Sequence, residues 1–174
     1  IGCLLCEDGW SDDYELAPLN ILQHEDVDFF VNISASPYTL GKNDKRNRVF
    51  SAQSRKTKTP LFYVNCIGLQ NNGKTIYTFA GSSTAYDSEG RIVALAEEYT
   101  EKLTVLSLEG LGRMTEVPQI DMPDIAHIYR ALHYGIAHFL KNIHMNKVVI
   151  GIARSYGNSI FNFLMNFDAV FHKG

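Results

Sequence analysis

Ile1-Gly2-Cys3-Leu4-Leu5-Cys6-Glu7-Asp8-Gly9-Trp10 is an apolar run that ends in a cysteine, two carboxylates and a glycine. Ile1 to Cys6 has the length of one short strand, and its apolar character predicts a buried strand rather than an exposed edge. A thiol where a strand leaves the sheet for a turn is held rigidly and can still be reached. The backbone N–H of Glu7 could then face the oxyanion of an acyl-transfer intermediate. Cys6 is therefore the candidate catalytic nucleophile and Glu7 the candidate oxyanion donor. Two considerations oppose this. Most cysteines are small buried hydrophobes, the expectation for Cys3 and Cys66, and the carboxylates around Cys6 disfavour a thiolate unless a cation is near. Cys3-Leu4-Leu5-Cys6 is formally C-x-x-C. It has no redox-type helix start after its first cysteine and no second pair for zinc, so neither reading is supported.

Outward from this stretch, residues 1–28 hold eight carboxylates and no Lys or Arg. Leu16, Leu19 and Leu22 predict a short helix near Tyr14–His24. Phe29 to Ile33 reads as a strand that ends in the loop Ser34-Ala35-Ser36-Pro37. A basic stretch follows, from Lys42 to Lys58, and predicts a helix over Asp44–Lys56 with Val49, Phe50 and Ala52 inward, stopped by Pro60. It lacks interleaved aromatics and any nucleic-acid motif, so a solvated face is the better reading than a phosphate site. Leu61–Ile67, Thr75–Phe79 and Ser82–Tyr86 read as strands. Asp87-Ser88-Glu89-Gly90 is a turn that returns Arg91–Ala96 as a hairpin. Leu103–Leu108 reads as a further strand.

Gly110–Pro123 has no clear period and is a linker candidate. Ile125, Ile128, Tyr129, Leu132, Ile136, Phe139, Leu140 and Ile143 keep helical spacing for about five turns. Lys147–Gly151 then reads as a buried strand and Ile160–Phe171 as a second helix, the opening of another α/β unit. His127 and His138 share one helix face, as do His133 and His144. Each pair lies eleven residues apart, about 16 Å at 1.5 Å per residue, too far to chelate one metal. No metal site is expected.

The chain has 174 residues, 45% hydrophobic and 20% charged, and a net charge of −3. Such a composition excludes a wholly disordered protein. No apolar run approaches the ~20 residues of a membrane span. Neither a membrane nor a nucleic-acid partner is expected. Three cysteines suggest no disulfide framework and fit a reducing, cytoplasmic setting.

Several stretches, in order, resemble the nitrilase (carbon–nitrogen hydrolase) superfamily and, more narrowly, the glutaminase domain of glutamine-dependent NAD⁺ synthetases. They are Leu5-Cys6-Glu7-Asp8-Gly9-Trp10, Val31 to Lys42 (VNISASPYTLGK), Tyr63-Val64-Asn65, Gly68 to Lys74 and Tyr77-Thr78-Phe79. Gly81-Ser82-Ser83 and Tyr86 to Gly90 continue the match. Ile128 to Leu132 and Lys147 to Gly151 resemble the linker helix and first strand of the synthetase domain.

The resemblance implies an α/β fold: part of a nitrilase-type αββα sandwich over residues 1–109, a linker over 110–123, and the start of an adenine-nucleotide α-hydrolase-like domain over 124–174. It implies Cys6 as the nucleophile that takes the glutamine side-chain amide, the Glu7 N–H on the oxyanion, and Ser36 and Lys42 as glutamine-binding residues. In the complete family enzyme the ammonia passes to deamido-NAD⁺ activated with ATP and Mg. No cofactor is assigned to this chain.

Two departures shape the expectation. The family's general-base Glu and oxyanion-stabilising Lys lie upstream of the nucleophile, and only five residues precede Cys6 here. The pyrophosphate loop S-G-G-x-D-S is replaced after Gly151 by Ile152-Ala153-Arg154-Ser155-Tyr156-Gly157-Asn158-Ser159, so no intact ATP site is expected. Ala80 also stands where a family Asp is common. The chain alone is therefore expected to be inactive, a fragment whose uncovered sheet face favours oligomers, aggregation or a complementary synthetase chain. A non-catalytic interaction module and a stand-alone carbon–nitrogen hydrolase are the alternatives.

Overall fold

A computed structural model describes residues 1–10, 14–118, 122–145 and 147–148. The chain divides into two compact units, residues 1–68 with 78–121 and residues 69–77 with 122–174. The readings made for Val149 to Gly174, which include most of the Lys147–Gly151 strand, the altered pyrophosphate loop and the second helix, lie outside the described residues.

The first unit is built on a mixed sheet. Its strands are β1 (Gly2–Leu5), β2 (Phe30–Ser34), β3 (Leu61–Asn65), β6 (Thr84–Tyr86) and β7 (Ile92–Leu95), in the spatial order β1-β2-β3-β6-β7. The first three run parallel, with Leu5 beside Ile33 and Ile33 beside Val64. β6 and β7 are antiparallel additions. In chain order a separate hairpin of β4 (Ile67–Asn71) and β5 (Ile76–Ala80) comes between β3 and β6, and its residues 69–77 belong to the second unit.

Parallel neighbours need crossovers. Helix α1 (Pro18–Leu22) lies in the connection from β1 to β2, and α2 (Lys42–Thr57) in that from β2 to β3. Alternation along each strand sends Leu4, Phe30, Leu61 and Tyr63 into one core with Leu19, Phe50, Tyr86 and Ile92. Phe50 of α2 is its centre, fully buried and 5.0 Å from the Tyr63 ring. Leu111, from a 3-10 turn at Leu108–Arg113, packs with Ala85 and Val93 in a second cluster.

Several expectations are corrected. β1 is the edge strand, and Cys3 and Leu5 point to its open face, because period-2 alternation exposes every second residue unless both faces are covered. Cys3 and Cys66 are exposed rather than buried, Cys3 on that face and Cys66 in the bend after β3. On α2 the inward residues beside Phe50 are Arg46, Asn47, Gln53 and Ser54, whereas Ala52 is exposed and Val49 half-buried. Residues 103–108 form no strand: Leu103 is 88% exposed and no neighbouring strand offers them a ladder. Residues 67–71 form β4, which alternation did not reveal because Gly68, Gln70 and Asn71 break it.

The turn after β6 agrees with expectation. Asp87 Oδ1 accepts the Glu89 and Arg91 N–H groups, at 3.1 and 2.8 Å, and Oδ2 holds the Arg91 guanidinium. Gly90 has φ +77°, and a Cβ there would stand 2.3 Å from the Ser51 carbonyl oxygen, so only glycine fits. Tyr86, capped by Asn47, is buried deeply enough to push its phenol up to about 12.

Leu5, Ile33 and Val64 form an exposed apolar row across the three parallel strands. The double change Ile33→Thr with Val64→Thr should therefore leave the melting temperature within a few degrees, since little burial is lost. It should lower binding of a hydrophobic dye. A large fall in melting temperature would show that this face is covered in solution.

The second unit contains α3 (Asp124–Asn142), at the helical spacing read from Ile125 to Ile143. No described helix is long and apolar enough to cross a membrane. Among the described residues no group of three or more His, Cys, Asp and Glu is placed to hold a metal ion.

Candidate active site

Ligand clefts in α/β sheets open at the carboxyl ends of parallel strands. Here those ends are Cys6 after β1, Ser36 after β2 and Cys66 after β3. Cys6 begins a 3-10 turn, Cys6–Gly9, with φ +42°, a strained value for a non-glycine residue. Three contacts over-determine the turn. The Leu5 N–H donates to Asp8 Oδ2 at 3.0 Å. The Trp10 N–H donates to the Glu7 carbonyl at 2.8 Å. Asn32 Nδ2 donates to the Cys6 carbonyl at 3.2 Å. Gly9 is buried, and a Cβ there would sit 2.4 Å from Asn32 Nδ2 and 2.6 Å from the Phe50 ring. The turn thus lies on the core, and the thiol above it is half-exposed.

The second wall is the loop 35–41. Asn65 clamps it. Its Oδ1 accepts the Ser36 N–H at 2.8 Å, and its Nδ2 donates to the carbonyls of Ser36 and Gly81 at 3.2 and 3.1 Å. Gly41, at φ +73°, turns the loop into α2, whose first residue is Lys42. The Lys42 Nζ donates to the Pro37 carbonyl at 3.4 Å. Arg46, one turn on, is buried under the site, with its guanidinium 4.4 Å from the Tyr63 ring centre and donating to the Ser82 carbonyl.

Cys6, Glu7, Ser36 and Lys42 line one open cleft of about 450 Å³ together with Trp10 and Lys45. All four residues singled out from the sequence are thus brought together. Partial burial lowers the Lys42 pKa, and the Cys6 thiol acts in the opposite direction. Cys66, although an exposed residue, has its thiol pushed up by local desolvation. Glu7 lines the cleft, and its carboxylate accepts the Tyr14 hydroxyl at 3.0 Å. The cleft therefore offers a thiol, a carboxylate and two ammonium groups within a few side-chain lengths. Opposite charges of this kind complement a zwitterion whose third arm reaches the thiol.

The lowered Lys42 pKa has a sign that can be tested. A protonated Lys42 is disfavoured in the folded state, so its cost is full at neutral pH and fades as pH rises towards the ordinary 10.5. Lys42→Met should be the more stable protein at neutral pH, and its advantage should shrink with rising pH. Denaturant titrations at several alkaline pH values check this, and a widening gap would contradict it.

Asn32 and Asn65 carry the geometry, and the sequence reading gave neither a role at the site. The signal was present. Both are amides at core-facing positions of otherwise apolar strands, where a polar group needs a specific partner.

Comparison with known proteins agrees with this architecture. No family model matches the chain. A glutamine-dependent NAD⁺ synthetase of Synechocystis is 31% identical over an alignment of 170 positions that covers 92% of this chain. The chain is a homologue of the carbon–nitrogen hydrolase region of these synthetases. It spans 30% of the length of that relative and 27% of the synthetase of Rhodobacter capsulatus, to which it is 29% identical. Among solved structures, the glutamine-dependent NAD⁺ synthetase of Acinetobacter baumannii superposes with a TM-score of 0.65 at 24% identity, covering 80% of this chain and 25% of that one. A carbon–nitrogen hydrolase of Helicobacter pylori superposes at 0.54 with 16% identity, over 84% of this chain and 49% of that one. The α/β fold with a mixed sheet is therefore that of the carbon–nitrogen hydrolases.

Proposed function

We propose that this chain carries the nucleophile and the glutamine-binding wall of a glutaminase that serves NAD⁺ synthesis in the cytoplasm. The observation that carries this reading is the shared cleft of Cys6, Ser36 and Lys42. In the proposed reaction the Cys6 thiolate adds to the side-chain amide carbon of glutamine. The Glu7 backbone N–H donates to the oxyanion. Collapse of the intermediate breaks the C–N bond, the departing nitrogen takes a proton and leaves as ammonia, and a γ-glutamyl thioester remains. Water then releases glutamate and restores the thiol. In the family the ammonia amidates deamido-NAD⁺ activated by ATP with Mg. The amidation stage belongs to the complete synthetase.

By family resemblance, the proton acceptor for the thiol and the lysine on the oxyanion are a Glu and a Lys outside the matched residues. We therefore expect residues 1–174 alone to bind glutamine without turning it over. The test is a glutamine analogue with a diazomethyl ketone in place of its side-chain amide. Thiolate attack on the protonated analogue expels N₂ and leaves a stable thioether. Mass spectrometry should find the adduct on Cys6, blocked by excess glutamine and absent from Cys6→Ala. Labelling of Cys3 or Cys66 at an equal rate would sink the reading.

The exposed apolar row of Leu5, Ile33 and Val64 supports a second reading, a module that docks on a homologous synthetase chain. Co-purification with a full-length synthetase that Ile33→Lys abolishes would favour it.

A further inference from the structure

A second groove lies on the other flank of α2, between that helix and residues 14–20. It measures about 550 Å³. Leu19, Ala17 and Gln53 are buried beneath it, and Val49 is half-buried. Among the described residues, three cations, Lys45, Arg48 and Lys56, line it against one carboxylate, Glu15. They follow one helical stripe, with about 4.5 Å of rise from Lys45 to Arg48 and about 12 Å from Arg48 to Lys56. Two of the three are held in place. Lys45 sits over the Trp10 ring at 5.6 Å, and the Lys56 ammonium donates to Asn20 Oδ1 at 3.0 Å. Among the described residues Arg48 has no hydrogen-bond or ion-pair partner, and its guanidinium fork suits a two-oxygen acceptor.

We propose that this groove binds a small phosphate-bearing molecule of about nucleotide size. The neighbouring Lys45 and Arg48 match the span of adjacent phosphoryl groups, for which an arginine fork is the better acceptor partner than a second lysine. Lys56, farther along, takes the remaining negative charge or a hydroxyl. The site is separate from the Cys6 cleft except at Lys45, which borders both.

Trp10 is the single tryptophan of the chain, so it reports directly on Lys45. Tripolyphosphate, which does not absorb at the excitation wavelength, should change Trp10 fluorescence saturably as it draws Lys45 off the ring. Arg48→Gln and Lys56→Gln should each weaken that binding about ten-fold, a loss of about 1.4 kcal/mol. Arg55→Gln is the control, since Arg55 lies on α2 outside the groove and donates to the Glu89 carbonyl. It should leave binding unchanged, as should Cys6→Ala, so failure of the glutaminase reading would not affect this outcome. Saturation-transfer NMR with ADP and adenosine distinguishes sources. ADP tighter than tripolyphosphate indicates a nucleotide, equal binding indicates a free oligophosphate, and either supports the proposal. An equal response to sodium sulfate at matched ionic strength would overturn it. So would an equal loss in Arg55→Gln, adenosine binding as tightly as ADP, or tighter binding of a poly-glutamate peptide.

Discussion

Phe50→Ala should remove about 3–5 kcal/mol of stability, the range for deleting a fully buried aromatic ring. Phe50 has no exposed surface. Its ring meets Trp10 edge-on at 5.7 Å, Tyr63 at 5.0 Å and Tyr86 at 6.4 Å, so one side chain joins the turn after β1, helix α2 and two strands. The backbone around it has little room to collapse into the cavity. Gly9 packs so closely that even one added carbon would strike the ring. Natural domains hold only about 5–15 kcal/mol in reserve, so this variant should melt far lower or fail to fold at ordinary temperature. Phe50→Leu keeps most of the volume and should cost roughly 1–1.5 kcal/mol. Equilibrium urea unfolding of both variants checks the pair. A cost below about 1 kcal/mol for Phe50→Ala would mean that the core of α2 and the sheet is not packed as described.

Phe50 also shows what was legible in the amino-acid order. An aromatic in the middle of a basic helix has few roles other than core, and it was read so. The Asp87–Gly90 turn was equally legible, because an aspartate that caps two N–H groups and a glycine at positive φ form a local signal. Long-range features were not legible. Nothing within Ile1–Cys6 says whether one face of the strand or both will be covered, since that depends on what packs against the sheet. Leu103 and Val105 alternate like a strand, yet a strand exists only where another offers hydrogen bonds, and none does here.

The site divides in the same way. Cys6 and Glu7 were singled out by a thiol and the following N–H at a strand end, and Ser36 and Lys42 by the family resemblance; the structure gathers all four at the strand ends. Asn32 and Asn65 act through other residues. A positioning amide has no chemical signature along the chain; its meaning comes from partners twenty-six and twenty-nine residues away.

Asn65→Ala tests that positioning most sharply. The truncation leaves a buried Ser36 N–H and the Ser36 and Gly81 carbonyls without their side-chain partner. Each unsatisfied buried group costs about 1–3 kcal/mol, and partial entry of water through the open cleft should hold the total near 2–4 kcal/mol. The loop 35–41 then loses its tie to β3. Ser36 and Lys42 should drift, while the Cys6 turn, held instead by Asn32 and Asp8, should stay in place. The two effects separate in one experiment. Alkylation of Cys6 by iodoacetamide, which needs only the exposed thiol, should be nearly unchanged in Asn65→Ala. Capture of the diazoketone analogue, which needs the glutamine-binding wall, should fall at least ten-fold. Asn65→Asp keeps the acceptor for the Ser36 N–H but sets a carboxylate against two carbonyls, so it should be no better than alanine. Equal loss of both alkylation reactions would place Asn65 in the general fold, and undiminished diazoketone capture would remove Ser36 and Lys42 from the proposed glutamine site.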